Sequence, residues 1–119
     1  MVNDKFLGEF ETLVMMALMR LGEEAYGVPI LAEIEARAGR PAAIGSVYAA
    51  LDRLEAKALV ASRMGAPTAA RGGRRKKFFT ITAEGERKLA DSLRGLGRMA
   101  SGVPELENLL RIRWKGAAA

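Results

Sequence analysis

Apolar positions recur along this chain first at helical and then at strand-like spacing. Leu7, Phe10, Val14, Leu18 and Leu21 fall three or four residues apart, with Leu13 and Ala17 widening the stripe, and predict a helix over residues 7–21 that Gly22 stops. Met15, Met16 and Met19 add apolar surface beyond that stripe, so this helix is either central to its own domain or turned in part toward a second subunit. Ile30, Leu31, Ile34 and Ala38 mark a second helix from about Val28 to Ala38, with Pro29 in the first turn, where its missing N–H costs nothing, and Gly39 and Pro41 closing it. Val47, Leu51, Leu54 and Ala58 form the narrow seam of a third helix over about 44–57. Its opposite face presents Ser46, Tyr48, Ala49, Asp52 and Arg53.

The spacing then changes. Residues 59–64 and 77–82 mix apolar and polar side chains at strand-like spacing and predict two strands, joined by a glycine-containing tip over 65–73. Residues 63–77 carry six basic side chains and no acidic one. Thr82 has the hydroxyl of an N-cap, with Glu84 in the first turn, and opens a last long helix. Leu89, Leu93, Leu96 and Ala100 are spaced four, three and four apart, the pattern of a two-helix seam. Gly95, Gly97 and Gly102 weaken that helix in isolation, which points to a packing partner. Pro104 starts a short further helix with Leu106, Leu109, Leu110 and Trp114. The order helix, helix, helix, strand, basic loop, strand, long helix predicts a mainly α fold with a small β-hairpin: a winged helix-turn-helix with a C-terminal dimerisation helix. Residues 1–82 form the DNA-binding part, with the recognition helix near 44–57 and the wing near 59–82. Residues 83–119 supply the dimerisation helix and tail of the same structural unit.

Composition removes other readings. At 119 residues there is room for a single core. With neither histidine nor cysteine, imidazole bases, Ser-His-Asp triads, thiolate nucleophiles and Cys/His metal sites are excluded, and no paired carboxylates stand out; neither an enzyme nor a cofactor is expected. The absence of cysteine fits a reducing cytoplasm, no apolar run is long enough to span a membrane, and Met1-Val2-Asn3-Asp4 lacks the features of a signal peptide. Residues 1–40 hold four basic against seven acidic residues, a balance of −3, and residues 41–119 hold fifteen against seven, a balance of +8. A basic face on one side of the molecule suits a polyanion.

Arg71, Arg74, Arg75, Lys76 and Lys77 are the candidate phosphate or minor-groove contacts of the wing, and Ser46, Tyr48, Ala49 and Arg53 the candidate readers of double-stranded DNA. Arg53 is the residue of that face able to make a bidentate contact to guanine; the alternative for it is an ion pair with a nearby acid. Tyr48 either bonds a phosphate or lies flat as a packing residue. One winged helix reads little sequence, so a homodimer on an inverted repeat is expected, with Leu89, Leu93, Leu96, Ala100, Phe10 and Met16 at its interface. Two other roles are open to the same fold: a protein-interaction module, and a non-specific nucleic-acid binder with aromatic stacking platforms.

Five short motifs follow in order over about residues 7–90: Tyr26-Gly27, Gly45-Ser46-Val47-Tyr48, Leu51-Asp52-Arg53-Leu54-Glu55, Arg75-Lys76-Lys77-Phe78-Phe79 and Ile81-Thr82-Ala83-Glu84-Gly85. Together they resemble the PadR family of bacterial transcriptional regulators. The short C-terminal part is similar to that of the subgroup with a single dimerisation helix. The resemblance implies a dimeric regulator, in most relatives a repressor released by an effector or stress signal; a small apolar effector would then enter the dimer cleft lined by the first and last helices, within reach of Phe6, Phe10 and Trp114. Three positions depart from the pattern: Ala49 where proline is frequent, Ala58 where glycine is usual, and Phe78 and Phe79 in place of tyrosines.

Overall fold

The computed structural model describes residues 7–66 and 75–110. Its elements are α1 (Glu9–Leu21), a 3-10 turn (Gly22–Glu24), α2 (Gly27–Ala38), α3 (Ile44–Ala56), β1 (Val60–Met64), β2 (Lys77–Ile81), α4 (Ala83–Ala100) and α5 (Pro104–Leu110). The first three helices pack around one core, in which Val14, Met15 and Leu18 of α1 meet Ile30 and Ile34 of α2 and Val47, Leu51 and Leu54 of α3. Leu59, Val60, Phe79 and Leu89 extend that core beneath the hairpin and the start of α4.

The buried face of α1 differs from the expected stripe. Met15 is fully buried, whereas Leu7, Phe10, Leu13 and Leu21 are only half-buried. The inward arc is centred on Val14, Met15 and Leu18 because α2 and α3 both cross that side of the helix, and Met19 is left facing out.

β1 and β2 pair antiparallel, Val60 opposite Ile81 and Arg63 opposite Phe78. Val60 and Phe79 on the inner face are buried, so strand alternation turns Phe79 inward and leaves Phe78 at the edge. The Phe79 N–H donates to the Ala25 carbonyl at 2.9 Å, tying the hairpin to the segment before α2.

Three elements meet where α3 turns into β1. Ala58 N–H donates to Glu55 O and Leu59 N–H to Leu54 O, both at 2.9 Å, the paired bonds of a Schellman motif. Ala58 takes its left-handed position, φ 63°, and is the one non-glycine residue with positive φ among the described residues; it lies past the end of α3 and is exposed, not a member of the buried seam expected with Val47, Leu51 and Leu54. An L-residue there costs about 1–2 kcal/mol. Glycine would relieve that strain but adds unfolded-state freedom worth about 0.4–1 kcal/mol. Ala58→Gly is therefore expected to stabilise the fold by about 0.5–1 kcal/mol, measured as a higher urea midpoint with unchanged slope; an unchanged or lower midpoint would show that the strain is not there.

Thr82 closes the same corner. Its N–H donates to Leu59 O at 3.0 Å, its hydroxyl donates to Ala58 O at 2.8 Å, and that hydroxyl oxygen accepts the Gly85 N–H at 3.0 Å as the N-cap of α4. Gly85 lies directly on the Leu59 carbonyl, a contact too close for any side chain.

Candidate nucleic-acid interface

Val47, Ala50, Leu51 and Leu54 sink one side of α3 into the core and turn the rest of the helix outward. Ser46, Ala49 and Arg53 follow one line at spacings of three and four. They form one wall of an open depression of about 330 Å³, and Phe10, Arg40, Pro41 and Ala42 form the other. The expected readers do not all meet there. The Tyr48 ring lies over Gly27 at the start of α2, where a methyl group on Gly27 would overlap it. The hydroxyl end of Tyr48 thus packs on the start of α2, as the packing alternative expects, while the residue remains 43% exposed.

Arg53 is held from behind. Its Nε lies 3.3 Å from Oε2 of Glu11 in α1, and Lys57 Nζ lies 3.9 Å from the same oxygen. Oε1 of Glu11 accepts the Gly8 N–H at 3.3 Å. The Glu11 side chain is only 11% exposed, while that of Arg53 is 54% exposed. Arg40, in the turn between α2 and α3, stacks over the Phe10 ring at 5.0 Å and pairs with Glu9 at 3.5 Å.

The wing has its own fixed root. Gly65 N–H donates to Lys76 O at 2.7 Å, and Arg75 Nε donates to Gly65 O at 2.8 Å. Arg63 lies 4.6 Å from the Phe78 ring centre, Phe78 meets Tyr26 edge-on at 5.5 Å, and Lys76 Nζ lies 4.9 Å from the Tyr26 ring centre. This stack of charges and rings joins the hairpin to the start of α2. Lys77 Nζ is 3.9 Å from Glu55 Oε1, whose other oxygen accepts the Ser62 hydroxyl at 2.6 Å. Arg75, Lys76 and Lys77 are therefore brought together, each with part of its side chain engaged; Arg71 and Arg74 lie outside the described residues.

Behind this face, an apolar groove of about 770 Å³ separates α1 from α4, lined among others by Leu7, Leu13, Met16, Leu93, Leu96 and Met99. Leu7 N–H donates to Ser92 Oγ at 3.2 Å across its end. Leu96 is 60% exposed and Met99 78%. Two expected interface residues sit elsewhere. Leu89 is 4% exposed because the first turns of α4 pack onto the subunit's own core, so it has almost no surface to offer a partner. Phe10 points to the α2–α3 turn under Arg40, about 120° around α1 from Met16, and does not line the groove. Ala100 is half-buried at the end of α4, and Phe6 and Trp114 lie outside the described residues.

The sequence pattern of the transcriptional regulator PadR-like family matches residues 15–91, which takes in α2, α3, the hairpin and the first half of α4. The chain belongs to the PadR-like family. Its members are transcription factors, not enzymes. Among solved structures, a PadR family transcription regulator from hypervirulent Clostridium difficile aligns with 24% identity and a TM-score of 0.64, over 88% of this chain and 100% of that one. A PadR-like transcriptional regulator from Bacillus cereus aligns with 20% identity and a TM-score of 0.63, over 87% and 93%. Bacillus subtilis PadR in complex with operator DNA aligns with 24% identity and a TM-score of 0.59, over 71% of this chain but 47% of that one. Comparison with curated proteins gave no match. The structural likenesses confirm the winged-helix fold, and no helix among the described residues is long and apolar enough to cross a membrane.

In this PadR-like chain the residue that sequence reasoning passed over is Glu11. A carboxylate seven residues before Leu18 and four before Met15 stands on the buried arc of α1, and a charge there demands partners. That was the available signal. The partners, Arg53 and Lys57, are more than forty residues away and could not be read from spacing.

Proposed function

We propose that this PadR-like regulator binds double-stranded DNA sequence-specifically as a homodimer on an inverted-repeat operator, and acts in the cytoplasm as a repressor. The observation that carries this reading is the juxtaposition of the outward face of α3, with its depression bordered by Ser46, Ala49 and Arg53, and a rooted hairpin carrying Arg75, Lys76 and Lys77. α3 enters the major groove, its side chains read base edges, and the hairpin grips the flanking backbone. Bacillus subtilis PadR, which shares the fold, forms a complex with operator DNA, and this supports DNA as the partner. Residues up to 82 then serve as the DNA-binding part, and α4 with the residues after it joins the subunits across the α1–α4 groove, which also offers the place for a small apolar effector. Stacking platforms for single strands are not favoured, because the Phe78 ring is covered by Arg63 and Tyr26.

The test is a salt titration comparing DNA from just upstream of the protein's own gene with a scrambled duplex of equal length. A specific regulator keeps a preference of several hundredfold at about 150 mM salt, and its log affinity falls with log salt at a slope of roughly −3 to −4 per wing, for about four cations engaged. Equal affinities that collapse together would leave only a general polyanion grip.

A further inference from the structure

We propose that Glu11 is a positioning residue for DNA recognition, fixing the direction in which the Arg53 guanidinium leaves α3. The proposal rests on the reading of Arg53 as a base-reading side chain.

Glu11 sits in the first turn of α1, on the arc otherwise made of Val14, Met15 and Leu18, with a side chain 11% exposed. A carboxylate placed there must be satisfied by donors, and the backbone supplies one, Gly8 N–H at 3.3 Å. The others come from the recognition helix: Arg53 Nε at 3.3 Å and Lys57 Nζ at 3.9 Å. As a stabilising ion pair this is a poor device, because Arg53 is half-exposed and pairs of that kind often contribute nothing measurable.

As a means of orientation it is effective. A guanidinium is planar and carries five N–H donors. Glu11 takes the single donor on Nε, next to the aliphatic stem, and leaves the four on the two terminal nitrogens. Those terminal nitrogens form the fork that matches O6 and N7 of guanine. Fixing the plane at Nε removes rotamer freedom before DNA arrives, so less is lost on binding. Arg53 also borders the depression with Ser46 and Ala49, so the tether aims the fork along the face presented to the groove. The opposite wall is held in the same manner, with Arg40 tied to Glu9 and Phe10. The first turn of α1 thus sets the arginines on both sides.

The experiment presents the full-length protein, Arg53→Ala, Glu11→Ala and Glu11→Gln to a library of randomised DNA duplexes and reads the base preference at each position. Affinity for a scrambled duplex and the thermal midpoint are measured alongside. Arg53→Ala should flatten the preference at one position of each half-site. Glu11→Ala should weaken the preference at that same position by about 3- to 10-fold, part of the full worth of a bidentate arginine–guanine contact. Its affinity for the scrambled duplex should hold or rise, since a negative charge is lost. Glu11→Gln still accepts from Arg53 Nε and should keep most of the preference. The proposal is overturned if Glu11→Ala leaves that position unchanged, sharpens it, or weakens every position equally together with a lower midpoint, which is the signature of a folding clasp. If Arg53→Ala changes no position, the reading of Arg53 falls and the proposal with it; if Arg53→Ala acts and Glu11→Ala does not, only the proposal falls.

Discussion

Leu96→Asp is expected to leave the protein monomeric and to lower its affinity for a twofold operator by about 100-fold or more, because the second half-site then loses its effective concentration. Leu96 is 60% exposed at the groove between α1 and α4, so the substitution removes almost nothing from the subunit's own core. In a dimer closed over that groove, the new carboxylate would be buried without a partner, a penalty several times larger than the lost apolar contact. Leu93→Asp should act in the same direction, but Leu93 also packs against the core, and its effect will mix unfolding with dissociation. Sedimentation equilibrium reads the subunit state and fluorescence anisotropy the affinity. A Leu96→Asp protein that remains dimeric and binds as before would place the interface elsewhere.

Gly85→Ala should destabilise the fold by about 3 kcal/mol, toward the upper end of overpacking, and lower the thermal midpoint by on the order of 10 °C. The residue lies in the first turn of α4, where helix propensity alone would favour alanine by about 1 kcal/mol. The added methyl group, however, would overlap the Leu59 carbonyl and crowd Ile81. The carbonyl cannot swing aside without giving up the Thr82 N–H, and the Thr82 hydroxyl is committed to Ala58 O. Differential scanning calorimetry would show which term wins; a midpoint equal to or above that of the parent protein would mean the corner can open at little cost.

Much of this fold was legible because most of its elements carry their own signals. The starts and ends of the helices fall within two residues of where apolar spacing, Gly22, Gly39 and the Thr82 hydroxyl put them, and the hairpin was marked by two mixed apolar and polar segments around a basic loop. Ala58 was already conspicuous as a missing glycine, and it is the residue that adopts positive φ. What could not be read is who faces whom. The seam Leu89, Leu93, Leu96 and Ala100 has one spacing, yet its first member packs inside the subunit and its third is open. Spacing reports that a stripe wants a partner and does not say which chain provides it. Phe10 and Met15 exchanged roles for a related reason, since the width of the buried arc depends on two helices that cross it later in the chain. At the candidate site the outward side chains of α3 and the cations Arg75, Lys76 and Lys77 were recognisable by type and position. The Tyr48 ring over Gly27 and the Glu11 tether were not, because both depend on contacts between elements distant in sequence.

The corner at Gly85 also bears on operator length. α4 is seated hard against the root of the hairpin and runs for 18 residues from there, so it behaves as a rigid arm about 27 Å long with its pivot beside the DNA-binding half. A change of roughly 10° in how two such arms cross displaces their far ends by about 5 Å, more than the rise of about 3.4 Å per base pair along the DNA axis. The distance between two half-sites would then be decided far from any base, by the packing angle of α4.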